Sequence, residues 1–151
     1  VVLFDGTNVT LAGEFGMVVQ STDGGQTWVR RDSFITPKEP EPPYWITGAQ
    51  DGNTMFLAGA AGAIRRSTDA GATWTTLPPP SAEAIFGVSV LDGGKPAIAG
   101  AVGMIGTLEG ENWTIADRSA LQLLSWVKTP VEMPDGSVVM LGGRSTVIRL
   151  K

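Results

Sequence analysis

Short apolar runs alternate with turn residues along the whole chain, and the same order of runs and turns occurs four times. Each copy contains an Asp-Gly pair between two apolar runs: Asp5-Gly6, Asp51-Gly52, Asp92-Gly93 and Asp135-Gly136. Such a pair predicts a β-hairpin, because both residues tolerate the positive φ of a tight turn. The spacings of 46, 41 and 43 residues indicate a repeat architecture.

Glycines recur in step with these pairs. One follows each Asp by eight residues, at Gly13, Gly59, Gly100 and Gly143, and in the first three copies another follows three residues later, at Gly16, Gly62 and Gly103. Apolar runs between the turns predict four short strands in each copy, and four strands per ~40–45 residues is typical of a β-propeller blade. We therefore predict an all-β fold, a propeller of four-stranded antiparallel blades at about 1–31, 45–77, 85–116 and 124–151, the last without its outer strand.

An eight-residue element occurs twice at identical spacing, Ser21 to Trp28 and Ser67 to Trp74. Its pattern Ser-x-Asp-x-Gly-x-Thr-Trp resembles the Asp-box, or BNR repeat, found between the third and fourth strands of propeller blades. The resemblance implies structural roles: the Asp accepts turn N–H groups, the Gly is left-handed, and the Trp packs between blades. These residues are Ser21, Asp23, Gly25, Thr27, Trp28, Ser67, Asp69, Gly71, Thr73 and Trp74. Copy three, Thr107 to Trp113, keeps the Trp but is one residue short and has Glu109 in place of the Asp.

The longer pattern from Ala12 to Trp28, and again from Ala58 to Trp74, resembles the photosystem II stability/assembly-factor family of seven-bladed propellers. Copy three follows this longer pattern only as far as Ile105. The resemblance implies a non-catalytic scaffold that binds a protein partner, such as a subunit of a membrane complex, and an exported protein of the thylakoid lumen or periplasm.

The composition limits the kinds of catalytic and metal-binding site that the chain can form. The chain has 151 residues, no Cys, no His and a net charge of −4. Thiol nucleophiles, disulfides, thiolate metal sites and histidine bases are therefore excluded, and an acidic chain argues against nucleic-acid binding. No apolar run reaches the ~18–20 residues that span a bilayer. We expect no cofactor and no metal.

The open edge expected in copy four predicts a longer propeller, because unpaired strand edges are generally covered. The missing blades would come from the same gene product or another chain. The alternative is a propeller assembled from this chain alone.

Alternation of turns places the Asp-Gly turns and Asp-boxes on one face and the glycine turns with the inter-blade connections on the other. Long connections on a rigid scaffold tend to carry binding residues. The expected partner-binding residues on this second face are Glu14, Phe15, Glu41, Tyr44, Trp45, Arg118 and Arg144. Trp45 is equally compatible with an inward-facing strand residue. Arg144 directly follows the glycine of its copy and is expected at the rim of the central channel.

Two other functions remain open. Sialidase-like glycoside hydrolases also carry Asp-boxes, and their catalytic groups would then lie partly outside this chain. The carboxylate pairs Glu14 with Asp117 and Glu39 with Glu41 are possible, but the spacing does not select either. A purely structural module within a larger complex would share the fold.

Overall fold

The computed structural model describes residues 1–31, 42–117 and 125–150. Within them the chain forms four antiparallel sheets, each built from consecutive strands in chain order. The only helical segments described are single 3-10 turns. An all-β fold of propeller-type blades is thus confirmed.

The strands are short and evenly distributed. Sheet 1 contains β1 (Val2–Asp5), β2 (Asn8–Ala12), β3 (Val18–Ser21) and β4 (Val29–Arg30); sheet 2 contains β5 (Trp45–Asp51), β6 (Thr54–Gly59), β7 (Ile64–Ser67) and β8 (Thr75–Thr76). Sheet 3 contains β9 (Ile85–Leu91), β10 (Lys95–Gly100), β11 (Ile105–Glu109) and β12 (Asn112–Ile115), and sheet 4 contains β13 (Val127–Glu132), β14 (Val138–Gly142) and β15 (Thr146–Leu150). The fourth strands of sheets 1 and 2 have two residues each. Each follows an Asp-box turn whose hydrogen bonds extend to Thr27 or Thr73.

The core lies between neighbouring sheets. One apolar cluster joins sheets 1 and 2 around Leu3, Trp45 and Leu57. A second joins sheets 2 and 3 around Phe56 and Ile98, and a third joins sheets 3 and 4 around Val127 and Met140. The first strands of adjacent sheets contact one another, β5 with β9 and β9 with β13. The sheets are therefore packed face to face in a series, as propeller blades are.

One register prediction for copy four is wrong. In the first three sheets the 3-10 turn after the second strand is preceded by Gly13, Gly59 and Gly100, and in sheet 4 it is preceded by Gly142. The glycine equivalent to the first three is therefore Gly142, not Gly143. Asp135 lies inside the loop between β13 and β14, because Glu132 pairs with Val138 around it. Asp5 and Asp51 instead pair across their own hairpins, so counting eight residues from Asp135 gives the wrong glycine.

The two predicted faces are present. On one, the Asp-box turns touch the β1–β2 and β5–β6 hairpins: the Gly24 N–H donates to the Thr7 carbonyl (2.9 Å) and the Ala70 N–H donates to the Asn53 carbonyl (3.0 Å). On the other, which we call the turn-and-connection face, the 3-10 turns touch the segments that join the sheets. There the Gly103 N–H donates to the Ser125 carbonyl (2.5 Å).

Candidate protein-binding face

Four equivalent residues form the apices of the 3-10 turns on the turn-and-connection face. They are Phe15, Ala61, Val102 and Arg144, with φ of 53°, 52°, 53° and 58°. Left-handed backbone costs a non-glycine residue about 1–2 kcal/mol, and it is unusual for bulky or β-branched side chains. The next residue is also left-handed, and in three of the turns it is Gly16, Gly62 or Gly103. The repeated glycine of the sequence is explained by this second left-handed position.

The apex side chains are exposed. Phe15 is 71% exposed and Val102 is 47% exposed, and Arg144 is exposed as well. Glycine would occupy these positions without strain. Strain held at exposed side chains is typical of functional sites.

Phe15 lies beside the segment that enters sheet 2. The Gly16 N–H donates to the Pro43 carbonyl (2.7 Å), and the Trp45 N–H donates to the Gly13 carbonyl (3.2 Å). The Ala60 N–H donates to the Tyr44 carbonyl (3.0 Å), so this segment is held between the turns of two sheets. Its position is set by backbone hydrogen bonds rather than by the side chains at its surface.

Tyr44 is tied to the first turn by its side chain. Its hydroxyl donates to a Glu14 carboxylate oxygen at 2.7 Å, although the two residues are 30 apart in sequence. The hydrogen bond to Glu14, and then the negative charge of that carboxylate, raise the pKa of Tyr44 above its ordinary value of 10.0. The ring is about half exposed and remains available to a partner.

An open groove of about 690 Å³ runs between these elements, and its walls are mostly apolar. Phe15, Pro43 and Tyr44 form the side nearest sheet 1. The 3-10 turn of sheet 2, Ala60 to Gly62, and Pro79 form the other side. The only charged residue in its wall, among those the structure describes, is Arg65, whose guanidinium donates to the Thr76 hydroxyl. Rigid aromatic and proline side chains lose little entropy on binding, so the groove suits an apolar protein segment.

The predicted site residues divide into three groups. Glu14, Phe15 and Tyr44 come together at the groove, and Arg144 lies on the same face at the turn of sheet 4. Trp45 does not belong to the site: it is 3% exposed and packs between sheets 1 and 2, because alternation along β5 points it inward. Glu41 and Arg118 lie outside the described residues, as does Glu39. Arg144 is the turn apex, equivalent to Phe15, and does not directly follow the equivalent glycine.

Three features of this face were missed by the sequence predictions. Val102 and Ala61 carry no polar or aromatic signal, and only alignment of the turns identifies them with Phe15. Trp126, 46% exposed, lies in the connection into sheet 4, directly before β13. Exposure of an aromatic just before a strand has no distinct sequence signature.

In the Asp-boxes on the opposite face, each Asp carboxylate accepts hydrogen bonds from residues of its own turn. The Asp23 carboxylate accepts the Thr27 hydroxyl (2.6 Å), the Thr27 N–H (2.9 Å) and the Ser21 hydroxyl (2.7 Å). These bonds, the Thr27 hydroxyl first, lower its pKa from 3.8 to about 2, and the matching bonds in the second box lower the pKa of Asp69 to about 2. Both carboxylates accept several hydrogen bonds from their own turn, as the predicted structural role requires.

The tryptophans of the boxes behave differently from one another. Trp74 packs against the cluster between sheets 1 and 2, and Trp113 packs against the cluster between sheets 2 and 3. Each therefore covers the contact with the preceding sheet. Trp28, on sheet 1, is 43% exposed, and no described sheet precedes sheet 1, so its place between two blades stays a prediction.

No metal site is evident in the part of the chain that the structure describes, where no group of three His, Cys, Asp or Glu side chains is arranged to hold an ion. Within the same residues, no helix has the length and apolar character needed to cross a membrane.

Fold and boxes together define an Asp-box propeller protein, and its turn-and-connection face carries an aromatic, proline-lined groove. The chain belongs to the family of the photosynthesis system II assembly factor YCF48, whose sequence profile matches residues 1–125. No curated protein matches the chain.

Solved structures share the fold. YCF48 bound to D1 peptide is 20% identical with a TM-score of 0.71, and the alignment covers 97% of this chain and 48% of that one. YCF48 from Cyanidioschyzon merolae is 18% identical with a TM-score of 0.70, covering 99% and 52%. An ancestral GH74 enzyme is 14% identical with a TM-score of 0.70, covering 99% and 22%. The chain thus spans about half the length of the two YCF48 structures.

Proposed function

We propose that the chain is a non-catalytic assembly or stability factor that holds an apolar segment of a membrane-complex subunit in the groove beside Phe15 and Tyr44. The observation that carries this proposal is the exposed, left-handed Phe15 at the rim of an apolar groove. Family membership supports the assembly role, and the YCF48 structure with a D1 peptide supports a protein segment as the ligand.

Glu14 has a positioning role in this proposal. Its carboxylate fixes the Tyr44 hydroxyl, so that the ring is held beside the groove instead of rotating freely. A fixed aromatic ring costs less entropy when the partner binds. Arg144 extends the face at sheet 4, where a cation at the turn apex can meet an acidic or carbonyl-rich part of the partner.

A glycoside hydrolase is the alternative, and the ancestral GH74 enzyme shows that the same fold can belong to an enzyme. A hydrolase of this kind needs a general acid whose pKa is raised. Among the described residues, the carboxyl groups with a resolved shift all have a lowered pKa, namely Asp23, Asp69, Glu109 and Asp135. None of these four carboxyl groups therefore has the raised pKa of that acid.

The proposal includes the compartment and the rest of the ring. An assembly factor of a photosystem-type complex would act on the lumenal or periplasmic side of its membrane, and further blades, from the same gene product or another chain, would complete the propeller.

The test is the binding of a fluorescently labelled D1 peptide, followed by anisotropy. We expect Phe15→Gly to weaken binding about thirtyfold, since a central aromatic anchor typically contributes about 2 kcal/mol. Met133→Ala is the control, because Met133 is an exposed apolar residue in the β13–β14 loop and does not line the groove. If the wild type binds the peptide and Phe15→Gly binds it equally well, the groove beside Phe15 is not the binding site. If the wild type does not bind the peptide, the assigned class of ligand is wrong.

A further inference from the structure

The junction between sheets 3 and 4 repeats the backbone geometry found beside the groove. Its Gly103 N–H donates to the Ser125 carbonyl (2.5 Å), as the Gly16 N–H donates to the Pro43 carbonyl (2.7 Å) at the junction of sheets 1 and 2. Gly16 and Gly103 are equivalent, because each is the second left-handed residue of its 3-10 turn. Ser125 is therefore the counterpart of Pro43 in the connection that enters the next sheet.

The aromatic residue that follows is equivalent as well. The Trp126 carbonyl accepts the Gly143 N–H (2.9 Å), and the Tyr44 carbonyl accepts the Ala60 N–H (3.0 Å). Trp126 thus occupies in sheet 4 the position that Tyr44 occupies in sheet 2, and both side chains are about half exposed. A second aromatic side chain is therefore present on the turn-and-connection face, two sheets away from the first.

Val102 completes the second junction. It is the turn apex of sheet 3, left-handed like Phe15, and its side chain is also exposed. The junction of sheets 3 and 4 therefore has the same composition as that of sheets 1 and 2, an apolar apex in a turn that is hydrogen-bonded to the segment carrying an aromatic residue. The sheets on both sides of this junction are described, so the exposure of Val102 and Trp126 does not depend on where the chain begins or ends.

The junction between sheets 2 and 3 has small residues at the same two positions. Its turn apex is Ala61, and its counterpart of Tyr44 is Ala84, whose carbonyl accepts the Ala101 N–H (2.9 Å). Bulky apolar side chains are thus present at the first and third junctions and alanines at the second.

The groove already extends to this middle junction. One side of it is formed by Phe15 and its neighbours, and the other side includes the turn of sheet 2 and Pro79, which belongs to the connection into sheet 3. A ligand that leaves the groove past Pro79 therefore lies one sheet away from Val102 and Trp126. This continuity indicates that the two aromatic junctions serve one ligand.

We propose that a single extended segment of the partner protein lies across this face, with one apolar anchor at Phe15 and Tyr44 and a second at Val102 and Trp126. The inference rests on the proposed function, because it extends the same groove. Sheets pack ~10 Å apart and extended backbone rises ~3.3 Å per residue, so the two anchors are about six residues apart in the segment. The middle of the segment faces alanines and contributes little to affinity.

Fluorine NMR of protein labelled with fluorotryptophan tests the second anchor, with the D1 peptide that tests the proposed function as ligand. A Trp126→Phe variant assigns the Trp126 resonance. Saturating peptide should shift this resonance, and one peptide should bind per chain. The resonance of Trp74 is the internal control and should not move, because its indole N–H is bonded to the Gly71 carbonyl within an Asp-box on the opposite face.

The matching variant is Trp126→Ala, which should weaken binding of the peptide about tenfold, since aromatic anchors are among the residues that contribute most to affinity. Combined with Phe15→Gly, it should weaken binding about three-hundredfold, because the effects of distant sites multiply. Met133→Ala is again the control, and circular dichroism checks that each variant is folded.

The possible results separate this inference from the proposed function. If Phe15→Gly weakens binding but the Trp126 resonance does not move, or Trp126→Ala binds as tightly as the wild type, the segment occupies the groove alone and the second anchor is wrong. Two peptides bound per chain would also overturn it, because each junction would then hold its own segment. If neither Phe15→Gly nor Trp126→Ala weakens binding, the proposed function fails at this face as well.

Discussion

The hydroxyl of Tyr44 donates a hydrogen bond of 2.7 Å to the carboxylate of Glu14, and this contact joins the connection into sheet 2 to the turn of sheet 1. Because Tyr44 is the only tyrosine in the chain, its ionisation can be followed without interference.

We predict that Glu14→Gln lowers the pKa of Tyr44 toward its ordinary value of 10.0, since the carboxylate is the main cause of the raised pKa. Ultraviolet titration of the phenol measures it. Because the pKa of Tyr44 is raised in the folded state, its hydrogen bond to Glu14 stabilises the fold below pH 10.0. This stabilisation is lost as the pH rises through the folded-state pKa. An unchanged titration in Glu14→Gln would show that the hydrogen bond is absent in solution; Glu111→Gln, at an exposed glutamate not bonded to Tyr44, is the control.

Phe15→Gly and Val102→Gly should stabilise the fold by about 0.5–1 kcal/mol. Glycine removes the cost of left-handed backbone, although part of the gain is offset by the greater freedom of the unfolded chain. Denaturant unfolding measures the change, with Ala61→Gly as a comparison at the equivalent turn. A loss of stability in both variants would show that the side chains are held for packing rather than for binding.

Two glycines of sheet 2 form a matched pair. Gly52 and Gly62 are both left-handed, with φ of 53° and 70°. A Cβ at Gly52 would meet nothing within 4 Å, whereas one at Gly62 would lie 2.0 Å from the Ser81 carbonyl oxygen. Gly52→Ala should therefore cost about 1 kcal/mol from backbone strain alone, and Gly62→Ala should cost clearly more. Equal costs would mean that the connection from sheet 2 to sheet 3 does not pack on this turn.

The Asp-boxes should make the free energy of unfolding depend on pH in the acid range. Asp23 and Asp69 have pKa values of about 2 instead of 3.8, so their contribution is complete above about pH 3.8 and is lost as the pH falls through about 2. Thr27→Val and Thr73→Val remove the hydroxyl that is the main cause, so both pKa values should rise toward 3.8 and the slope of unfolding free energy against pH should flatten in this range.

Carboxyl titration by NMR and denaturant unfolding at several pH values measure these changes. Thr114→Val, on an exposed position of β12, is the control and should leave the slope unchanged. An unchanged slope in the Asp-box variants would contradict the assigned hydrogen bonds.

The fold was accessible from sequence because its signals are local and repeated. Asp-Gly turns, paired glycines and the Ser-x-Asp-x-Gly-x-Thr-Trp element depend on backbone conformation within a few residues, so spacing alone reveals them. The register predicted for copy four was wrong because Asp135 lies inside its hairpin loop, whereas Asp5 and Asp51 pair across theirs.

The candidate site could be predicted only in part from the sequence, because it depends on contacts between segments that are distant in the chain. Phe15 and Tyr44 were found as an exposed turn residue and a loop aromatic, but the groove depends on contacts between distant segments, such as the Gly16 N–H with the Pro43 carbonyl. Trp45 shows why the sequence could not predict the whole site. An aromatic at the end of a proline-rich connection can be either an exposed loop residue or the first inward residue of a strand. Its burial is decided by packing against sheet 1, which no local pattern records.

Amide hydrogen exchange with and without the peptide probe named above tests the proposed site most directly. Slower exchange is predicted at Gly16, Trp45 and Ala60, whose N–H groups hold the connection beside the groove. Slowed exchange confined to the Asp-box amides, such as those of Thr27 and Thr73, would place the partner on the opposite face and contradict the proposed site.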